Sequence, residues 1–203
     1  MPLIAILRNL APSAVEPVAL ALRDAGITAL EVTMNTPDAA AQIRAAAACV
    51  GNTAAVGAGT VTSLEELACA QAAGASFVVT PVVIPDVITA CVRCGLPVFP
   101  GAFTPGEVFE AHRLGATMVK LFPASRLGPG YIRDLRGPFP KIPLLATGGI
   151  TPETMPEYIA AGAAGFGISG PLFPPERVKA GDWAWVKNQA ARFCAAWQQA
   201  RNR

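Results

Sequence analysis

The chain has 203 residues, 52% of them hydrophobic and 15% charged, with a formal net charge of +2. That balance excludes a disordered chain, and the length suits one compact domain, residues 1–203, better than two. The charges are scattered, so no basic stripe points to nucleic acid, and Gly, Pro or a charge breaks every apolar run short of a membrane span.

Short apolar runs alternate with Ala-rich stretches, and Gly or Pro marks the joints. The first strand is predicted over Leu3–Arg8, with a helix over Ser13–Ala25 opened by a capping-box spacing of Ser13 and Glu16. A second strand covers Thr28–Thr33, with a helix from Pro37. A third covers Ala54–Gly57, with a helix capped by Ser63 and Glu66. The fourth, Phe77–Thr80, leads to a helix from Pro85. The fifth, Pro97–Phe99, leads to a helix from Thr104 with Glu107 three residues on. The sixth, Thr117–Phe122, precedes a helix near Gly130–Leu135. The seventh, Ile142–Ala146, precedes a helix from Thr151 with Thr154 three residues on. The eighth is Gly165–Ile168, and a helix over about Trp183–Gln199 comes last. Strand–helix alternation implies a parallel sheet, and eight units without a ninth imply a closed, small (β/α)8 TIM barrel of the α/β class.

Five cysteines are irregularly spaced, and Cys91 and Cys94 form a C-x-x-C with no second pair. Packed helix thiols fit better than a disulfide framework, zinc or redox chemistry. His112 is the only histidine and falls in an outer helix, so no metal site is expected. Trp183, Trp185 and Trp197 read as packing residues. The N-terminus lacks the charged-then-apolar pattern of a signal peptide, which makes the cytoplasm the expected compartment.

In such a barrel, chemistry sits at the C-terminal strand ends. Polar residues there are few: Arg8, Glu31, Thr60, Thr80, Lys120 and Thr147. Lys120 lies in Met118-Val119-Lys120-Leu121-Phe122. Side chains alternate along a strand, so if Val119 and Leu121 face the helices, Lys120 faces the barrel interior. A desolvated lysine lowers its pKa and becomes a nucleophile for carbonyls. It is otherwise a lysine paired structurally with a carboxylate. Glu31, between Leu30 and Val32, faces inward by the same argument, as that partner or as a general base.

Glycines cluster after three strands. Gly57-Ala58-Gly59-Thr60 ends the third, and a tight turn explains it as well as a ligand does. Gly148-Gly149 follows the seventh, and Gly165-x-Gly167-x-Ser169-Gly170 spans the eighth. The loops after strands seven and eight are the usual phosphate site of this barrel class.

With these residues placed, the chain resembles the 2-keto-3-deoxy-6-phosphogluconate aldolase family, which includes the 4-hydroxy-2-oxoglutarate and 6-phosphogalactonate aldolases. The likeness rests on Glu31-Val32-Thr33, Gly57-Ala58-Gly59-Thr60-Val61, Thr80-Pro81, Pro100-Gly101, Val119-Lys120-Leu121-Phe122-Pro123 and Thr147-Gly148-Gly149-Ile150. The resemblance implies a class I aldolase without a cofactor, acting as a homotrimer on a phosphorylated keto acid. It makes Lys120 the Schiff-base lysine and Glu31 the general acid/base. Thr60, Pro81 and Phe122 match the pyruvate end. Gly148, Gly149 and the strand-eight loop match the phosphate site.

Three departures stand out. Little chain precedes the first strand where the family has a helix, so the barrel's bottom is expected to be less covered. Asn35 stands where gluconate-type members carry Arg to hold the substrate carboxylate, and Arg8 is the alternative, which leaves open which of the two holds it. Ser169-Gly170 replaces a Gly-Ser order, which leaves open which of the two meets phosphate. Thr147 goes with the gluconate series in that resemblance, and the pairing of Asn35 with Arg8 goes with the galactonate series. Weighting Thr147 more, the expected substrate is 2-keto-3-deoxy-6-phosphogluconate. A phosphate-binding barrel isomerase or lyase without a covalent intermediate, and a non-catalytic binding protein, are the rival classes.

Overall fold

Strands buried on both faces must be apolar almost throughout, and the first shows it: Leu3–Leu7 (β1) is buried at every position. The computed structural model describes residues 3–201. The other strands are Ala29–Thr33 (β2), Ala55–Gly59 (β3), Val78–Thr80 (β4), Val98–Ala102 (β5), Val119–Leu121 (β6), Leu144–Thr147 (β7) and Gly165–Ile168 (β8). All pair in parallel in sequence order, and β8 returns to β1 to close the barrel. The expected (β/α)8 TIM barrel is therefore the observed architecture.

Two cores follow from the alternation of side chains. Inside the barrel lie Ile4, Ala29, Phe77, Val79 and Leu145, with Ala55, Phe99 and Met118 half-buried against them. The rings of Phe77 and Phe99 meet edge-on, centroids 5.7 Å apart. The opposite faces of the strands, such as Leu30, Val32, Val119 and Leu121, pack against the helices. Ala55, Phe99 and Met118 lie toward the N-terminal ends of their strands and are only partly buried.

The helices are Pro12–Asp24 (α1), Ala39–Val50 (α2), Leu64–Ala72 (α3), Pro85–Arg93 (α4), Pro105–Arg113 (α5), Ala124–Arg136 (α6), Met155–Ala160 (α7), Pro175–Lys179 (α8) and Trp183–Arg201 (α9). Ser63 caps α3 by accepting the Glu66 N–H, and Thr104 and Glu107 complete a capping box on α5. The Ser13–Glu16 box is not formed. Pro12 presets the backbone at the first helical position, so α1 starts earlier, Ala11 becomes its uncapped boundary and Ser13 is already helical. Asp38, left-handed at φ 55°, delays α2 to Ala39. Thr151 and Thr154 do exchange hydroxyl–amide bonds, but in a turn ahead of α7.

Two strands and one helix are predicted too short, while the sixth strand, predicted over Thr117–Phe122, is only Val119–Leu121. Glycine and proline suggested that the third strand stops at Gly57 and the fifth at Phe99, yet β3 reaches Gly59 and β5 reaches Ala102. In a closed barrel both neighbours hold the strand, and an inward glycine admits a large side chain from the next one. At Gly57 a Cβ would overlap the Phe77 ring. Helix α6 starts six residues before the predicted segment and breaks at Gly128 (φ 73°), ahead of Pro129. Helix α8 was not foreseen.

Helix α9 packs on α1 and α7, and its half-buried tryptophans bear out the packing role. Trp197 meets Phe166 edge-on at 6.0 Å. The cysteines are all free, but only Cys91 is a fully packed helix thiol. Cys69 and Cys94 are exposed, because each lies on the solvent side of its helix or helix end.

The α5 box yields a check. Thr104→Ala removes one hydroxyl that caps the Glu107 N–H, and is expected to cost about 1 kcal/mol in a denaturant melt. An unchanged midpoint would show that the box contributes nothing.

Candidate active site

Strand alternation brings two ionisable side chains into the barrel interior. Glu31, in β2, is 1% exposed and Lys120, in β6, is 6% exposed. Space for the carboxylate comes from β3, since a Cβ at Gly59, the partner of Thr33, would overlap it. Among the described residues no ion pair within 4.0 Å joins Lys120 to a carboxylate. A structurally paired lysine is thus not what the fold contains. The Lys120 ammonium lies 5.4 Å from the centre of the Phe122 ring, which is half exposed at the mouth.

Burial drives both groups toward neutrality. Desolvation pushes the Glu31 carboxyl above the usual carboxylate value, while the positive charges of Lys120 and Arg8 pull it back. Desolvation pushes Lys120 below the ordinary lysine value. Glu31 opposes that shift and Arg8 adds to it. An amine held partly neutral in a dry site can add to a carbonyl, and a carboxylate of raised pKa can move a proton.

A cavity of about 320 Å³ opens over Lys120 at the C-terminal ends of the strands. Its walls hold the remaining predicted residues. Arg8, Thr60 and Pro81 come from the ends of β1, β3 and β4, and Phe122 and Thr147 from β6 and β7. Gly148, Gly149, Ser169 and Gly170 come from the loops after β7 and β8. Glu31 lies behind this lining, against Gly59. Thr80 is not part of it, because alternation turns it outward and its hydroxyl donates to the Val82 carbonyl at 2.6 Å.

Several polar atoms here lack partners. Glu31 Oε1 and Thr147 Oγ1 are buried and bond to nothing among the described residues. The backbone N–H groups of Gly149, Ile150 and Gly170 donate to no other backbone carbonyl among the described residues. Gly148 and Gly149 have positive φ, 96° and 74°, and Gly149 packs so tightly on Ser125 that a side chain would collide with it. Unpaired donors in a turn of this kind suit an anion. Ser169 spends its hydroxyl proton on the Ile6 carbonyl at 3.1 Å, whereas the space beside Gly170 is open. Arg8 reaches across to donate to Thr60 Oγ1 at 3.3 Å, and Thr60 itself is left-handed, φ 55°. Asn35 is exposed and lies outside the lining.

A model of the KDPG and KHG aldolase family matches residues 1–189. The chain belongs to that family. It is therefore an aldolase, a carbon–carbon lyase. It is 37% identical over 202 residues to the 2-dehydro-3-deoxy-6-phosphogalactonate aldolase of Escherichia coli, covering 98% of this chain and 96% of that protein. It is 37% identical over 180 residues to the 2-dehydro-3-deoxy-phosphogluconate aldolase of Pseudoalteromonas atlantica, covering 88% and 83%. Among solved structures, native KDPGal aligns with TM-score 0.94 and 35% identity over 100% of this chain and 97% of that one. The KDPG aldolase of Legionella pneumophila, with pyruvate captured as a covalent carbinolamine intermediate, aligns with TM-score 0.86 and 28% identity over 94% and 92%.

In this aldolase a larger cavity, about 720 Å³, lies on the other side of Arg8, between α1 and α8. It holds no buried nucleophile or carboxylate, whereas the smaller cavity is lined by Lys120, with Glu31 behind its wall. The sequence reading gave no site role to Ile6, Ile150, Gly167, Ile168 and Pro171, which also line the smaller cavity. Ile6 was readable from β1 alternation; Ile150 and Pro171 lie in loops with no such signal.

The electrostatics set a pH dependence. Addition of Lys120 to a 2-keto acid needs the neutral amine, so borohydride trapping should rise with pH, with its inflection below the ordinary lysine value. In Glu31→Gln the negative charge that raises the Lys120 pKa is gone, and the inflection should move to lower pH. An inflection at the ordinary lysine value, or a shift upward in the variant, would contradict the electrostatics.

Proposed function

We propose that this aldolase uses Lys120 as a Schiff-base nucleophile and Glu31 as general acid/base to cleave a 2-keto-3-deoxy-6-phospho sugar acid into pyruvate and glyceraldehyde 3-phosphate. The observation that carries the reading is a buried lysine, free of any contact ion pair, in one cavity with unpaired anion-binding donors. The family's general mechanism and the carbinolamine in the Legionella relative support it.

Lys120 Nζ adds to the C2 carbonyl, and loss of water gives an iminium. Glu31, or a water that it holds, takes the C4 hydroxyl proton. The C3–C4 bond breaks, its electrons pass to the iminium, and the aldehyde leaves. The resulting enamine takes a proton at C3, and water then releases pyruvate and free lysine. In this reading Arg8 holds the substrate carboxylate, with Thr60, Pro81 and Phe122 around the pyruvate carbons. Gly149 and Gly170 offer N–H groups to the phosphate, with Gly148 and Ser169 shaping their loops.

For the C4 epimer we favour 2-keto-3-deoxy-6-phosphogluconate. Thr147 lines the cavity with a buried hydroxyl that has no partner, and a substrate hydroxyl near the scissile bond would satisfy it. The near-complete alignment with 6-phosphogalactonate aldolases favours the opposite epimer. A homotrimer is also proposed. Val82, Phe103 and Phe109 are exposed on neighbouring loops and α5, an apolar face that suits contact between copies.

Borohydride with pyruvate is expected to inactivate the enzyme and leave the adduct on Lys120, as mapped by mass spectrometry. Lys120→Arg keeps the charge but should neither form the adduct nor turn over. Glu31→Gln should form it and cleave about 10²–10⁴-fold more slowly. An adduct on another lysine would refute the mechanism.

The epimers need a separate experiment, in which purified enzyme is given each alone. Thr147→Val removes an unpaired buried hydroxyl, so it should raise thermal stability by about 1 kcal/mol while lowering gluconate cleavage more than galactonate cleavage. A galactonate preference in the wild type, or an unchanged ratio in the variant, would show that Thr147 does not choose.

A further inference from the structure

Arg8 is an exposed residue on a short connection, with β1 ending at Leu7 and α1 starting at Pro12. Among the described residues its guanidinium has one hydrogen bond, the 3.3 Å contact with Thr60. A long side chain so lightly held takes its aim from its backbone, and that backbone is unusual. Asn9, the next residue, is left-handed at φ 53°. A non-glycine residue there needs its surroundings to hold it.

The holding groups come from the loop after β2. Asn9 N–H donates to Thr36 Oγ1 at 3.1 Å. The Thr36 hydroxyl also meets Thr33 Oγ1 at 2.9 Å, and both threonines are buried. Their turn is closed by Thr36 N–H on the Thr33 carbonyl at 2.9 Å. A second clamp lies below. Gln42 Nε2 donates to the Leu10 carbonyl at 3.2 Å and the Pro37 carbonyl at 3.1 Å, one from each loop. The buried Gln42 leaves its own Oε1 unpaired to do so. Two adjacent loops are thus stitched together on either side of Asn9, and Thr33 at the root of the stitch belongs to the same strand as Glu31.

We propose that Thr36 is a positioning residue for Arg8: its hydroxyl fixes the Asn9 backbone and so aims the guanidinium across the cavity. This rests on the reading that Arg8 holds the substrate carboxylate. Thr36 touches no substrate and acts before the chemistry, so it belongs to binding and not to turnover.

The test is steady-state kinetics on Thr36→Val, Thr36→Ser, Arg8→Ala and the Arg8→Ala/Thr36→Val pair, using the preferred phosphorylated keto acid. Thr36→Val is expected to raise KM roughly 3- to 10-fold, the net worth of about one hydrogen bond. It should change kcat by less than about twofold. Thr36→Ser restores the acceptor and should restore KM. In the Arg8→Ala background, Thr36→Val should add nothing to KM. If Thr36→Val does not fold, Thr36→Ala removes the same hydroxyl without the branched replacement and is held to the same expectations. An unchanged KM, a fall in kcat instead, or an equal KM rise without Arg8 overturns the proposal. If Arg8→Ala itself leaves KM unaltered, the carboxylate reading fails first; if Arg8→Ala raises KM and Thr36→Val does not, only the present proposal fails.

Discussion

An ammonium and a carboxylate share the dry interior of this barrel without touching, and much of the molecule follows from that. Taking either ion out of water costs several kcal/mol, and a close ion pair would return part of it. Lys120 and Glu31 forgo that return, so desolvation governs both, pushing the lysine down and the carboxyl up. The remaining strands must compensate by burial, which is why nearly every other inward residue at that depth is apolar or glycine. Closure is equally necessary. Glu31 and Lys120 stand on β2 and β6, across the ring from each other, and only a closed sheet brings both to one dry interior.

Charge is then graded from floor to rim. Below Lys120 the barrel is hydrocarbon. At its level the two ionisable groups stand alone. Above it come Arg8, the Thr60 and Thr147 hydroxyls, and the unpaired N–H groups of the loops after β7 and β8. A molecule with an anionic group at each end and a carbonyl toward one of them fits that gradient. On the proposed function the anions would meet donors at the rim, and the carbonyl would reach Lys120, whose proton burial makes easier to lose. The separation of roles lets loops set affinity while strands set reactivity.

The parts legible in the sequence are those dictated by period and composition. Alternation alone turned Lys120 and Glu31 inward, because Val119, Leu121, Leu30 and Val32 could only face helices. The glycine pairs after strands seven and eight marked the loops whose N–H groups are now seen unpaired. Failures came where a local rule met a tertiary one. Gly59 and Gly101 fell beyond the predicted strand ends at Gly57 and Phe99, yet neighbouring strands hold them in the ladder. Ser13 read as a cap, but Pro12 had already started the helix. Cys69 and Cys94 read as packed, but the helix faces that carry them meet water. Thr36 and Gln42 gave no signal, since their partners are backbone groups of other loops, and neither period nor propensity encodes which loop lies beside which.

Three buried side-chain oxygens are unpaired among the described residues, and their places in the fold separate two kinds of cost. Gln42 Oε1 is orphaned under the rim because the same amide spends its nitrogen on two carbonyls; the gain is a rigid connection between loops. Glu31 Oε1 and Thr147 Oγ1 secure nothing of that kind. Each stands on an inward strand position, next to a glycine that makes room for it: Gly59 beside the carboxylate and Gly167 beside the hydroxyl. A packing role would have been served better by alanine or valine, with no polar atom to desolvate. Room made by glycine for a polar atom that then finds no partner among the described residues supports the proposal that the partner arrives from solution. The same test passes over Thr80, equally buried and at the same strand level, because its hydroxyl is already spent on Val82. On the proposed function, unsatisfied polarity with space built around it separates the residues that would meet substrate from those that hold the loops above them.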